Sequence, residues 1–231
     1  MHAIFLVDVK NHTLYYKRNL PHYQPHGYAF FITTRLAGTI PKSVHDNLKK
    51  ELYQELIMLS GIKNLTKRRR LYSELQERSF INYDSILDQA NYGRKWLLVK
   101  SVANLVQNSI HFLEKKEYDL YAYTIMPNHI HLIFKPILNK NIYESGINDE
   151  IIFSATKIMK SLKMYTGREA NKILKRSGRF WQHESYDHVI RNNQELFRIT
   201  NYVLNNPVKA NLCDSQDDWP WNYINHGLYH L

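Results

Sequence analysis

Two histidines at alternate positions, His129 and His131, are the residues of this sequence best placed to do chemistry. They stand in the run Met126-Pro127-Asn128-His129-Ile130-His131-Leu132-Ile133-Phe134, whose β-branched and aromatic residues predict a strand. Side chains i and i+2 of a strand share a face, so both imidazoles project together while Ile130, Leu132 and Phe134 point into a core. The pair is either a two-ligand metal platform or two histidines on a polar sheet face, and spacing alone leaves both open.

A second pattern lies downstream. Asn192 or Asn193 can cap a helix that carries Glu195 in its first turn and is expected to end at Pro207. Leu196, Ile199 and Val203 form its buried stripe, and Glu195, Arg198, Tyr202 and Asn206 fall along an adjacent polar one. Tyr202 and Asn206 are therefore neighbours one turn apart. A phenol with a pKa of about 10 is a weak nucleophile at neutral pH. A divalent ion held by His129 and His131 would polarise a phosphate oxygen as the Tyr202 oxygen attacks phosphorus, and the Asn206 amide oxygen could be a third ligand. Imidazole with oxygen donors fits Mn²⁺, tolerates Mg²⁺ and could take zinc, but a nucleic-acid phosphate site built this way favours the harder ions. The product would be a phosphotyrosine that keeps the energy of the phosphodiester, so that a DNA 3′-hydroxyl can reverse the attack without ATP.

Other residues compete for these roles. Tyr186 is a rival nucleophile beside His183, Asp187 and His188, or an ordinary sheet tyrosine with a bonded hydroxyl. His183, His188 and Glu184 could support a metal or contact DNA, or simply face solvent. Trp181, Trp219 and Trp221 are either core residues or platforms for bases.

The chain of 231 residues carries a net charge of +10 and 17 tyrosines. Basic charge attracts a polyanion and aromatic rings stack on unpaired bases, a balance suited to single-stranded or distorted nucleic acid. Cys213 is the only cysteine, which rules out an intramolecular disulfide and fits a cytoplasmic setting. No signal peptide and no membrane span are expected, because Asp8 and Lys10 interrupt the short apolar start.

The elements that must position these residues read in order. A strand is predicted at 28–35 after the Pro25-His26-Gly27 turn, then a helical insertion at 39–95 with apolar spacing at Val44, Leu48, Leu52, Leu56 and Leu59. The basic run Lys67-Arg68-Arg69-Arg70 in that insertion either touches phosphates or is solvated. A helix at 96–114 follows, then a hairpin of 118–125 and 129–135, a helix at 151–176, a strand at 180–190 and the helix of Tyr202. This order gives an α+β fold: a ferredoxin-like antiparallel sheet (β-α-β-β-α-β) with helices on one face, a helical insertion after the first strand and a C-terminal catalytic helix. We read residues 1–231 as a single domain with an N-terminal arm at 1–25.

The sequence resembles the IS200-like tyrosine transposases with a histidine-hydrophobic-histidine motif, and most closely the REP-associated tyrosine transposases. The resemblance rests on Arg18-Asn19-Leu20-Pro21-His22-Tyr23, Phe30 to Leu36, Ala122 to Leu132, Phe180-Trp181-Gln182-His183-Glu184-Ser185-Tyr186-Asp187-His188, and Tyr202-Val203-Leu204-Asn205-Asn206-Pro207-Val208-Lys209-Ala210. It implies His129 and His131 as metal ligands, Tyr202 as nucleophile and Asn206 as third ligand, where better-known members of the wider class have Gln. It also implies an enzyme that cleaves single-stranded DNA beside an imperfect hairpin or palindrome, leaving a 5′-phosphotyrosine and a free 3′-hydroxyl, as a monomer or homodimer. The insertion at 39–95 is the weakest part of the match, and no role carries over to it. A non-cleaving nucleic-acid-binding regulator and a water-using metal nuclease are the alternative readings.

Overall fold

A computed structural model describes residues 4–8, 13–17, 21–23, 25, 27–89, 92–137 and 154–228. Parts of three sequence expectations lie outside the described residues: Arg18-Asn19-Leu20, His26, and the helix start at 151–153. Three short strands, β1 (Ile4–Asp8), β2 (Thr13–Lys17) and β3 (Pro21–Tyr23), pair antiparallel in a small sheet that the sequence reading did not foresee. The main sheet follows. It is built from β4 (Ala29–Arg35), β5 (Tyr118–Ile125), β6 (His129–Pro136), β7 (Tyr186–Ile190) and β8 (Asn222–Ile224) in the order β7-β4-β6-β5-β8, with every pair antiparallel.

Helices α3 (Lys100–Leu113) and α4 (Ser154–Ile173) complete the β-α-β-β-α-β order expected from the sequence. Both supply one core. Val102, Val106 and Ile110 of α3 and Ile158, Met159 and Leu162 of α4 pack with Phe30 and Ile32 of β4 and with Ile130, Leu132 and Phe134 of β6. The expected strand alternation holds in β6, since Ile130, Leu132 and Phe134 enter this core and its histidines face the other way. Leu132 is 0% exposed at the centre of the sheet. Its replacement by Ala removes methyl groups the rigid surroundings cannot refill, so chemical denaturation should show a loss of about 2–5 kcal/mol.

The opposite face of the sheet is also covered. Helix α5 (Asn193–Lys209) presents Leu196, Ile199 and Val203 to Phe31 of β4 and Ile133 of β6, and Phe80 joins them from α2 (Leu65–Asp88). Helices α1 (Lys42–Ser60) and α2 form the expected insertion between β4 and α3. A β-bulge between Leu120 and Ala122 lets β5 place Leu120 in one core and Ala122 in the other.

Several boundaries differ from the sequence reading. The segment expected as one helix at 96–114 opens as a 3₁₀ turn, Trp96–Leu98, and becomes α-helical only after Val99, which is extended. The strand expected at 180–190 pairs only from Tyr186; before it, Trp181 makes an isolated bridge to Leu36. Pro207 does not end α5. A proline forfeits one helical rung, but Pro207 is buried and the following turn recovers its carbonyls through Ala210 N to Asn206 O (3.0 Å) and Leu212 N to Pro207 O (2.9 Å).

Candidate metal and nucleophile site

Three elements bring their polar residues together on the α5 side of the sheet. Strand β6 supplies His129 and His131, α5 supplies Tyr202 and Asn206, and α2 supplies Asp84 and Asp88. Within each element the residues are spaced to share a face: i, i+2 on the strand and i, i+4 on each helix. His129, His131, Asn206 and Asp84 are all 0% exposed. The face expected to be polar is thus buried beneath two helices.

The imidazoles are turned by hydrogen bonds behind them. Asn128 Nδ2 donates to Leu87 O of α2 (3.0 Å), which leaves its Oδ1 facing His129 Nδ1 (2.7 Å). Nδ1 must then carry the proton, and the Nε2 lone pair points inward. His131 Nδ1 meets Thr33 Oγ1 of β4 at 2.8 Å, and its Nε2 stands 3.0 Å from that of His129. Burial pushes the His129 imidazole down to about 3, helped by the neighbouring His131, so it is neutral at physiological pH. Neutral imidazole is the form that binds a metal.

The remaining donors surround the same point. Asn206 fits with its amide oxygen toward His131 Nε2 (2.8 Å) and its nitrogen donating to Asp88 Oδ1 (2.6 Å) and Oδ2 (3.1 Å). Asp84 Oδ2 is 3.3 Å from His131 Nε2, and Asp88 Oδ1 is 3.6 Å from His129 Nε2. Two metal bonds of about 2.1 Å meeting at a right angle separate their donor atoms by about 3 Å. The imidazole pair, the Asn206 oxygen and Asp84 have spacings of that size, and Asp84, His129 and His131 form a buried group able to hold an ion. Asp84 Oδ1 is buried without a hydrogen-bond partner. An orphaned carboxylate oxygen beside two imidazoles is the donor a divalent cation would satisfy.

Electrostatics couple the tyrosine to this cluster. The Tyr202 hydroxyl donates to Asp84 Oδ2. Burial resists ionisation of Asp84, but the imidazoles of His131 and His129 and the Tyr202 hydroxyl outweigh it and hold the carboxyl below its usual range. Burial and the charge of Asp84 push the Tyr202 phenol well above its ordinary value, so it rests protonated. Burial and Asp84 likewise raise Asp88, to about 7. Lys209 Nζ lies 4.3 Å from the centre of the Tyr202 ring, one cation already beside the phenol.

The rival residues are engaged elsewhere. Tyr186 stacks on Phe80 at 4.4 Å between centroids, and burial lifts its phenol. His188 Nε2 bonds Glu195 Oε1 (2.8 Å). The indole nitrogens of Trp181, Trp219 and Trp221 donate to Thr166, Ile125 O and Asn104, the structural role rather than free stacking platforms. The sequence reading missed Asp84, Asp88 and the orienting role of Asn128. A signal for the carboxylates was present, since aspartates four apart on one helix face are a paired-carboxylate pattern.

No protein-family model matches the chain. Over 110 residues it is 27% identical to a Haemophilus influenzae protein carrying the name REP-associated tyrosine transposase, a match covering 47% of this chain. Over that stretch the chain is similar to a REP-associated tyrosine transposase. The match spans 60% of the length of that Haemophilus transposase. A solved structure of a REP-associated tyrosine transposase bound to a REP hairpin aligns with a TM-score of 0.47 at 16% identity, over 89% of this chain and 82% of that one. Among the described residues, no helix is long and apolar enough to cross a membrane.

Proposed function

We propose that this protein is a metal-dependent tyrosine transposase or endonuclease that cuts and rejoins single-stranded DNA beside a hairpin. The observation that carries the reading is the convergence of Tyr202 with the His129, His131, Asn206 and Asp84 donors in one buried cluster. His129, His131, Asp84 and the Asn206 oxygen would hold a Mg²⁺ or Mn²⁺ ion. The ion, when bound, supplies charge to a phosphate oxygen in the transition state.

The chain's own groups carry the rest of the reaction. Tyr202 Oη attacks phosphorus, forming the phosphotyrosine bond as the bond from phosphorus to the 3′-oxygen breaks. Asp84 Oδ2 already accepts the phenolic hydrogen bond, so the proton has a base within reach as the attack proceeds. The departing 3′-oxygen takes a proton and becomes the free hydroxyl. In the reverse direction a 3′-hydroxyl attacks the phosphotyrosine and Tyr202 recovers its proton, which joins strands without an external energy source. Lys209 adds positive charge where the phosphate must approach.

The test is incubation with hairpin-bearing single-stranded DNA and Mn²⁺, followed by denaturing electrophoresis. A DNA strand covalently bound to protein is expected, and it should vanish with EDTA. Free fragments without an adduct would instead indicate a water-using nuclease, and binding without cleavage a regulator.

A further inference from the structure

A cavity of about 830 Å³ lies between the insertion helices α1 and α2 and the outer edge of the sheet at β7. It shares its wall with the metal and nucleophile cluster. Thr33, whose hydroxyl meets His131 Nδ1, lines it, as does Phe80, whose ring centroid is 6.1 Å from that of Tyr202. Tyr83 lines it beside Asp84 on α2. The cavity is therefore an antechamber of the site.

Its lining combines the groups that hold unstacked nucleotides. One face of α2 presents Arg68, then Tyr72, then Phe80 and Tyr83 toward the cavity before it delivers Asp84 to the cluster. From Arg68 to Asp84 is sixteen residues, about 24 Å of helix at 1.5 Å each, a track that leads to the nucleophile. Arg68 has no ion-pair partner among the described residues. Arg35, only 6% exposed, donates through Nε to the Tyr83 hydroxyl and brings a second guanidinium to the wall. Four carboxylates also line the cavity, Glu51, Glu55, Glu184 and Asp187; Glu55 is paired with Arg78, and Arg35, Lys49, Arg68 and Arg191 leave the lining with more cations than carboxylates. The α1 side mixes aliphatic and polar groups: Leu48, Leu52, Leu56 and Leu59 line the cavity together with His45, Lys49, Glu51 and Glu55, and no residue of α1 is buried.

A purely apolar ligand would leave the guanidinium groups desolvated without compensation, and a free anion would gain nothing from the aromatic and aliphatic walls. A nucleotide uses both, with its base against rings and its phosphate against cations. The volume falls within the range of about 300–1,000 Å³ that encloses small organic groups. We infer that this cavity holds one or two unstacked nucleotides of the single strand leading to Tyr202, bases against Tyr72 and Tyr83 and backbone phosphate against Arg68. The inference rests on the reading of the neighbouring cluster as a DNA-cleaving site.

A ten-thymidine oligonucleotide carrying one 5-iodouracil tests it, bound to the full chain in EDTA so that no cleavage is required. Irradiation should cross-link the base to Tyr72 or Tyr83, as located by mass spectrometry. Arg68→Glu and Tyr72→Ala should each raise Kd for the oligonucleotide about tenfold while keeping the wild-type melting profile. Cross-links found only elsewhere, such as on the lysines of α4, or an Arg68→Glu Kd within twofold of wild type, overturn the inference. Cross-linking in the cavity without any covalent adduct in the Mn²⁺ assay would sink the cleavage reading and leave the cavity as a nucleotide site.

Discussion

Tyr202→Phe should abolish the protein–DNA adduct and lower strand cleavage by well over a thousandfold, the scale on which removing a covalent nucleophile acts. The loss should be chemical, because the ring remains. Phe31 and Phe80 contact the Tyr202 ring by its edges, and Lys209 sits over its face; phenylalanine keeps all three contacts. Only the bond to Asp84 disappears. That leaves a buried carboxylate short of one donor, a cost of about 1–3 kcal/mol that denaturant melts will register. Mn²⁺ binding should persist in the variant, since no metal donor is touched. Adduct formation by Tyr202→Phe would exclude Tyr202 as the nucleophile and return attention to Tyr186.

The parts of this site legible in the sequence were those with short-range periodicity. His129-Ile130-His131 declares its face because a strand alternates, and Leu196, Ile199 and Val203 declare the buried side of α5, which fixes Tyr202 and Asn206 beside it. The sheet order followed from the succession of elements, β4 to β7 with two helices between. What the sequence did not disclose was which elements cover the second face. Asp84 sits 118 residues from Tyr202 in the chain yet bonds it, a contact that no local pattern encodes. The edge strand β8 was missed because three half-buried residues, Asn222, Tyr223 and Ile224, carry too little alternation to announce a strand. Pro207 misled for the opposite reason. Its local rule is strong, but burial of Val203, Leu204 and Pro207 against the sheet outweighs the one lost rung.

Asp84→Asn separates the insertion's contribution from that of the histidines, because it should cost the metal-bound protein far more than the metal-free one. In the metal-free protein Asp84 is a fully buried charge with one unbonded oxygen. An amide of the same shape avoids that desolvation but gives up the attraction of the imidazoles and the Tyr202 hydroxyl that holds the carboxyl ionised, so the melting temperature should fall modestly. With Mn²⁺ the loss is larger. A neutral amide is a far poorer donor than a carboxylate, and Kd for Mn²⁺ should rise roughly ten- to a hundredfold, read by calorimetry or by the spin resonance of free Mn²⁺. At a concentration one hundred times the wild-type Kd, metal stabilises the native protein by about 2.7 kcal/mol; a hundredfold weaker site retains about 0.4 kcal/mol. The metal-induced rise in melting temperature, measured from each protein's own metal-free baseline, should therefore nearly vanish in Asp84→Asn. If Mn²⁺ affinity survived Asp84→Asn but was lost in His129→Ala, the ion would be held without Asp84. Helix α2 would then serve the site through Leu87 O, which orients Asn128 and through it His129, and through Asp88, which accepts from the Asn206 amide.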